Sequence, residues 1–370
     1  MIPLTKPYFS NQKLKKISHN IKNILSNGNL INGKWTKAFE KSFIKLVGTK
    51  HALTTNTCTT AIQICLSFFN ARDHDILVPS GSFQTNISAI RWAGANPILV
   101  DMDPKTLTFS LDDLKGKITK KTKGIIWVHV TGYISPEYKK IVNFAKKNNL
   151  FIIEDCAHAH GASINNKMAG TFGDAGCFSF YPSKILTTGT GGMITTNNSR
   201  LANYAKRMRF LGRNLNGKGV SLEGNDWFMD EVRSCIGFFQ MQDLKNILVK
   251  RNSIAKIYNK YFENNKKIRI LENNKSTKSS YYQYPIFIKN LRIRDKLVKV
   301  LNKKYKIASK KIWLPTHQEK IFKNIKFNRR TLKKTEKTFA SSICLPIFAS
   351  LTEKKAKYIA KIVLSSISKL

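Results

Sequence analysis

Acidic residues are scarce in this 370-residue chain: 22 Asp and Glu stand against 64 Lys and Arg, a formal net charge of +42. Such an excess raises nucleic acid or an anionic membrane surface as a partner, because phosphate affinity is largely counterion release. The lysines, however, run through every segment beside many Asn and Ile and form no single stripe with aromatics between. We read the excess as a coding bias toward A/T-rich codons, and no helix-turn-helix, zinc finger or RNA-binding signature accompanies it. A basic surface still draws in small anionic ligands.

Other absences narrow the class further. No run reaches the roughly eighteen apolar residues of a spanning helix, and the start, MIPLTKPYFSNQKLKK, lacks the apolar core of a signal peptide. A soluble, cytoplasmic protein is expected. The six cysteines, at 58, 65, 156, 177, 235 and 344, form no CxxC pair and no Cys/His cluster of metal spacing, so free thiols and no bound metal are expected. Neither an internal repeat nor a low-complexity linker appears. What is present is 42% hydrophobic content, enough for a full core and two domains.

Along the chain, apolar residues at Leu14, Ile17, Ile21, Ile24 and Leu25 predict an amphipathic helix over 11–26, stopped by Asn27 and Gly28. A helix over 36–47, a strand over 52–55, and a helix from Cys58 to Phe69 capped by Asn56 or Thr57 follow. Strands over 75–78, 96–100 and 123–128, with helices over 83–93 and 136–147, predict right-handed crossovers and a sheet covered on both faces. His129 is read as a satisfied structural histidine and His317 as a surface one. A basic helix over 200–210 leads to a Gly- and Asn-rich loop, and a long helix over 231–260 is expected to break or bend near 250–252. Beyond it lie strand-like YYQYPIFI, a helix over 293–301 and a last helix over 353–367.

The chemistry concentrates in FIIEDCAHAHGASINNKMAGTFGDAGCFSFYPSKILTTGTGGM, Phe151 to Met193. One apolar run ends in Asp155, a second ends at Phe180, and Lys184 precedes a Gly-rich turn. That layout presents a carboxylate and an amine at strand ends, where parallel sheets gather their ligands. A lysine condenses with an aldehyde only when neutral, so it needs desolvation or a neighbouring cation to lower its pKa. A pyridine ring is an electron sink only while its nitrogen keeps a proton, and a carboxylate holds that proton there. The pair is what a pyridoxal phosphate (PLP) enzyme requires. Each residue alone has a plainer reading: some lysine always falls near glycines in so basic a chain, and an Asp after an apolar run is commonly a turn or cap residue.

The motifs IEDCAHAHGA, GTFGDAGCFSFYPSK and TTGTGGM together resemble the signature of the DegT/StrS-type sugar aminotransferases, which are fold type I PLP enzymes of the aspartate aminotransferase superfamily. MIPLTKPYF, VGTKHALTTNTCTTAI, VPSGSFQTN, VDMDPKT and GNDWFMDEVRSCIG fall in that family's order and spacing. The resemblance implies an α/β fold: a large α/β/α PLP-binding domain with a mostly parallel sheet over 1–250, and a smaller C-terminal α+β domain over 251–370. It implies that Lys184 carries the cofactor and that Asp155 faces its pyridine nitrogen. Cys58 and Thr59 are implied to meet the phosphate through the free N–H groups of a helix N-terminus, together with Ser179. Phe83 matches the aromatic stacked on the ring, and His158 occupies the place where Gln or His contacts the phenolic oxygen. Without the neighbouring motifs, Cys58 reads as a buried residue of an ordinary capped helix and Phe83 as core.

The chain departs from the family at a few positions. Cys58 replaces a common Gly, which a backbone contact tolerates, and Thr190 replaces a common acid. Asp226 stands where many relatives have an Asn that reaches across a dimer to the neighbouring phosphate, and Phe228 where Arg is common. An Asp facing phosphate is repulsive, so either the loop is rearranged or Asp226 points elsewhere. The implied activity is transamination from glutamate to a nucleotide-linked keto sugar, in surface polysaccharide or amino-sugar biosynthesis, with pyridoxamine phosphate as the alternate cofactor form. A homodimer with shared active sites is implied, with no nucleic acid and no membrane as partner. The alternatives are a PLP-dependent sugar dehydratase, where His replaces the lysine, a regulatory PLP-binding protein, and, on charge alone, a nucleic-acid-binding protein. Retention of Lys184 favours amino transfer over dehydration.

Overall fold

The computed structural model describes residues 1–272, 276–322, 325 and 332–370. Its strands are β1 (His51–Thr55), β2 (Asp75–Pro79), β3 (Asn96–Val100), β4 (Thr122–Val128), β5 (Phe151–Asp155), β6 (Ser163–Ile164), β7 (Lys167–Met168), β8 (Ala175–Ser179), β9 (Gly192–Thr196), β10 (Arg269–Ile270), β11 (Thr277–Lys278), β12 (Tyr284–Phe287) and β13 (Ser342–Leu345). Its α-helices are α1 (Asn11–Asn27), α2 (Lys34–Val47), α3 (Cys58–Phe68), α4 (Thr85–Trp92), α5 (Leu111–Gly116), α6 (Tyr138–Lys147), α7 (Ser199–Met208), α8 (Glu231–Phe262), α9 (Leu291–Lys303), α10 (Lys333–Ser341) and α11 (Glu353–Ser368).

Local chemistry sets these boundaries. In α1 the apolar stripe buries Ile17 and Ile24 against Cys235 and Phe239 of α8, and the helix stops at Gly28, whose φ of 68° suits a residue without a Cβ. In α3 the Thr57 side chain accepts from the Thr60 N–H at 3.1 Å, a side-chain cap on the first turn.

Seven strands form one sheet in the order β1-β9-β8-β5-β4-β2-β3. Neighbours from β8 through β3 pair parallel, whereas β9 pairs antiparallel with both β8 and β1. Only β9 therefore runs against the rest. Every residue of β2, β5 and β8 is buried, as expected where helices cover both faces. One core packs Ile64, Cys65, Ile126, Ile153, Cys177 and Ile194 together, and the other packs Phe39, Phe43, Trp127, Ile152, Phe178 and Phe180.

A third core is drawn from Ile254 to Ile367, around the antiparallel sheet β10-β12-β13. Two connections cross the division that the sequence placed after residue 250. Ile2 pairs with Lys306 and Ala308 while Leu4 accepts from Ile347, and β11 pairs with β6. The expected break in the long helix is absent: α8 runs unbroken through 250–252. No Gly or Pro interrupts it there, and buried Arg251 ties it down by donating to the Tyr281 and Ile347 carbonyls at 2.9 and 3.0 Å. Among the described residues no helix is long and apolar enough to cross a membrane.

Candidate active site

Because β9 alone is reversed, β1, β5 and β8 deliver their carboxyl ends to the same edge of the sheet. Asp155 is the last residue of β5 and is buried. Its two carboxylate oxygens accept from Asn86 Nδ2 at 2.8 Å and from the Ala157 N–H at 3.0 Å, which fixes the plane of the group. Ser179 ends β8 in the same way. Strand alternation sends Phe178 and Phe180 into one core and Cys177 into the other, and it leaves the Ser179 hydroxyl, 3.4 Å from the Tyr181 N–H, on the Cys177 side.

Beyond β1 the chain turns into α3. The Cys58 and Thr59 N–H groups are in its first turn and have no acceptor among the described residues, so a helix N-terminus with open donors faces this edge. The buried Cys58 thiol lies within the electrostatic reach of both key groups. Burial and then the Asp155 carboxylate push its pKa well up, while Lys184 pulls it the other way. The helix N-terminus, the carboxylate and the amine thus surround one space.

Lys184 follows β8 in a turn closed by its own N–H on the Tyr181 carbonyl at 2.9 Å. Its half-buried ammonium makes no hydrogen bond or ion pair among the described residues and stands 4.7 Å from the centre of the Tyr282 ring. Another neighbour of Tyr282 is His158, whose imidazole stacks on it at 4.0 Å with an interplanar angle of 14°. Burial first, then the charge of Lys184 and the neighbouring His160, hold His158 well below the ordinary histidine range. It is a neutral imidazole, and its buried Nδ1 has no partner among the described residues. Trp313 lies 5.5 Å from His158 and 6.2 Å from Phe83, which links the two sequence candidates through an aromatic neither motif contains.

Several readings from sequence change. Phe83 is not core: it precedes α4 instead of opening it and is 44% exposed. His317 is not a surface residue, because α10 folds back over it and Glu336 bonds its Nε2 at 2.9 Å. Asp226 lies exposed on the loop before α8, and among the described residues its carboxylate bonds nothing. The carbonyl of its neighbour Trp227 accepts from the Asn56 N–H at 2.8 Å, two residues before Cys58.

His129 is buried and bonded to Glu154 at 2.8 Å. Folding brings His129, Glu154 and Cys156 within 4.8 Å of one another, a cluster invisible in the spacing. Glu154 is nevertheless fully engaged: besides His129 it accepts from the N–H groups of Gly170, Phe172 and Gly173. That makes it the anchor of the 170–173 turn and leaves no lone pair aimed at a cation.

Sequence reasoning missed Asn86, Tyr282 and Trp313. Asn86 had a signal, since it lies three residues after Phe83, in the first turn of the helix that follows β2. Tyr282 and Trp313 had none, because only the packing of the C-terminal elements brings them here.

The chain matches the DegT/DnrJ/EryC1/StrS aminotransferase family over residues 11–364. It is 31% identical over 333 residues to the GDP-perosamine synthase of Escherichia coli O157:H7, which covers 89% of each chain. It is also 28% identical to the pleiotropic regulatory protein of Geobacillus stearothermophilus, covering 98% of this chain and 96% of that one. The solved structure of Helicobacter pylori PseC, an aminotransferase involved in the biosynthesis of pseudoaminic acid, superposes with a TM-score of 0.91 at 25% identity, over 100% of both chains. With the sheet order, the strand-end carboxylate and the amine beside it already in place, these matches settle the kinship: the chain belongs to the DegT/DnrJ/EryC1/StrS aminotransferase family.

Proposed function

We propose that the protein is a PLP-dependent aminotransferase that moves an amino group from an amino acid, glutamate by family resemblance, to a nucleotide-linked keto sugar. The observation that carries this reading is the shared edge of β1, β5 and β8, where Asp155, Ser179, the α3 N-terminus and Lys184, unpaired among the described residues, enclose one space. The residues fit the cofactor: free N–H groups suit a phosphate, an orphaned imidazole nitrogen suits a phenolic oxygen, and a carboxylate with fixed orientation suits a pyridinium. Lys184 is the residue assigned to hold it, Asp155 to face its ring nitrogen, His158 its phenolic oxygen, and Cys58, Thr59 and Ser179 its phosphate. Phe83 is assigned to a ring face. When bound, the cofactor supplies an electron sink for the carbon that loses its proton.

The chain's own residues do the rest. Lys184 Nζ, which has no carboxylate partner among the described residues, is the group assigned to carry the proton to and from the substrate carbon as general base and acid. Asp155 is held in one orientation by Asn86 and Ala157, and is assigned to face the ring nitrogen. A homodimer with shared sites, a cytoplasmic location and the division at residue 250 belong to the same reading, and Asp226 is assigned to the subunit boundary. The kinship with a protein named for regulation favours, as a second reading, a PLP-binding regulator that keeps the cofactor and loses turnover.

The test separates the two. Purified protein given PLP is expected to gain a visible absorbance band and to aminate a keto sugar nucleotide with glutamate. Lys184→Ala is expected to lower turnover at least about a hundredfold and to abolish the band. A wild-type band without turnover across a panel of keto sugar nucleotides supports the regulator, and a band retained in Lys184→Ala refutes the assignment of the lysine.

A further inference from the structure

We infer that Tyr282, contributed by the C-terminal part of the chain, is a positioning residue for the site: it sets the plane of His158 and the place of Lys184 relative to each other. The inference rests on the aminotransferase reading but concerns a residue outside every motif that supports it. Three contacts converge on this side chain. Its ring lies flat on the His158 imidazole at 4.0 Å, the Lys184 ammonium stands 4.7 Å from its centre, and its hydroxyl shares a 3.0 Å hydrogen bond with Ser183, the residue before Lys184.

The backbone that presents Tyr282 is over-determined. Its N–H donates to the Thr131 carbonyl at 2.9 Å, and Ser279 Oγ and the Ser280 N–H both donate to the Gly132 carbonyl. Ser280 Oγ donates to the His158 carbonyl at 2.6 Å, so His158 is held by its backbone from one residue and by its ring from another two further on. Arg251 Nη1 closes the turn on the Tyr281 carbonyl. Two non-glycine residues here adopt left-handed φ, Thr131 at 62° and Tyr281 at 47°. Gly132, with φ 86°, has no room for a Cβ, which would strike Ser280 Oγ and the His158 carbonyl. Unfavourable backbone conformations of this kind persist only where the surroundings enforce them, and they cluster at functional sites. Here the strain places one aromatic face between an imidazole and an amine.

The consequence is that the ring, more than the hydroxyl, is the working part. A stacked aromatic pair and a cation over a ring face both favour the arrangement, so removing the face is expected to weaken cofactor binding by about tenfold. The test is a titration of cofactor-free protein with PLP, read by the absorbance of the bound chromophore, for wild type, Tyr282→Phe, Tyr282→Trp, Tyr282→Leu, His158→Ala and the His158→Ala/Tyr282→Leu double variant. Tyr282→Leu is expected to raise Kd about tenfold and shift the pH dependence of the bound spectrum, whereas the Phe and Trp variants stay within about threefold of wild type. In the His158→Ala background the Leu substitution is expected to add less than about threefold, because its main partner is already gone. Fully additive losses overturn the proposal, as does a Trp or Phe variant as weak as the Leu variant, and the two aromatic variants keep the proposal falsifiable even if the Leu variant does not fold. A wild-type protein that binds no cofactor would instead fail the aminotransferase reading, so the two failures are distinguishable.

Discussion

His160 shows what burial does to a single residue. It lies edge-on to Phe178 at 5.5 Å and tilted against Phe180 at 5.4 Å, and burial first, then the charge of Lys184, lowers its pKa from 6.5 to about 3. His158 shifts in the same direction for the same leading cause. Their folded values lie below the unfolded one, so the unfolded chain binds more protons, and the stability they confer is full above pH 6.5 and lost as the pH falls below it. Each histidine is expected to cost up to about 1.4 kcal/mol per pH unit in that window. Urea midpoints measured from about pH 7.5 down to about pH 5 test this, and His160→Asn should flatten the slope. A profile of equal steepness in the variant would show that His160 is not a source of the pH dependence. At this scale the position of Asp155 was legible, because a polar residue closing an apolar strand is a local pattern, whereas Ser179 and Lys184 were singled out through the surrounding motifs. His317 was not, because the partner that buries it, Glu336, comes 19 residues later on another helix.

Among the elements, the join between α2 and α8 rests on charge-assisted bonding. Glu231, in the first turn of α8, is buried and accepts from the N–H groups of Gly33, Trp35 and Thr36 and from the Thr36 hydroxyl. One carboxylate therefore satisfies the open N-terminus of α2, which has no side-chain cap of its own. Gly33 is required beside it, since a Cβ there would meet Glu231 Oε2 at 2.6 Å. Glu231→Ala leaves these buried donors unpaired and is expected to cost about 3 kcal/mol of unfolding free energy, with Glu231→Gln losing about half as much. A loss under about 1 kcal/mol for the alanine variant, by urea unfolding, would show that water replaces the carboxylate. Apolar spacing announced both helices almost to the residue, yet nothing local could have announced this cap, whose two halves stand 198 residues apart. The expected break in α8 failed for the same reason: the Tyr281 and Ile347 carbonyls that hold Arg251 lie 30 and 96 residues further along the chain.

For the whole molecule the parallel sheet was legible because strands buried on both faces read as continuous apolar runs. The pairing of Ile2 and Leu4 with the C-terminal elements was not, since it joins the two ends of the chain. Charge is where composition makes a claim about the intact protein that no single contact makes. With 64 basic side chains against 22 acidic ones, most cations have no anion available, and Lys117–Asp113, Lys140–Glu137, Arg209–Glu40 and Arg233–Asp230 are local exceptions. Self-repulsion at +42 disfavours the compact state more than the expanded one, whereas exposed ion pairs contribute little. Raising NaCl from about 0.01 M to about 0.1 M shortens the Debye length from about 30 Å to about 10 Å, which screens the long-range repulsion more than it weakens close, partly buried pairs such as Arg209–Glu40. The melting temperature is therefore expected to rise by about 2 °C or more over that range. A fall would mean that attractive pairs outweigh the repulsion, and that the excess of lysine is organised on the surface instead of scattered over it.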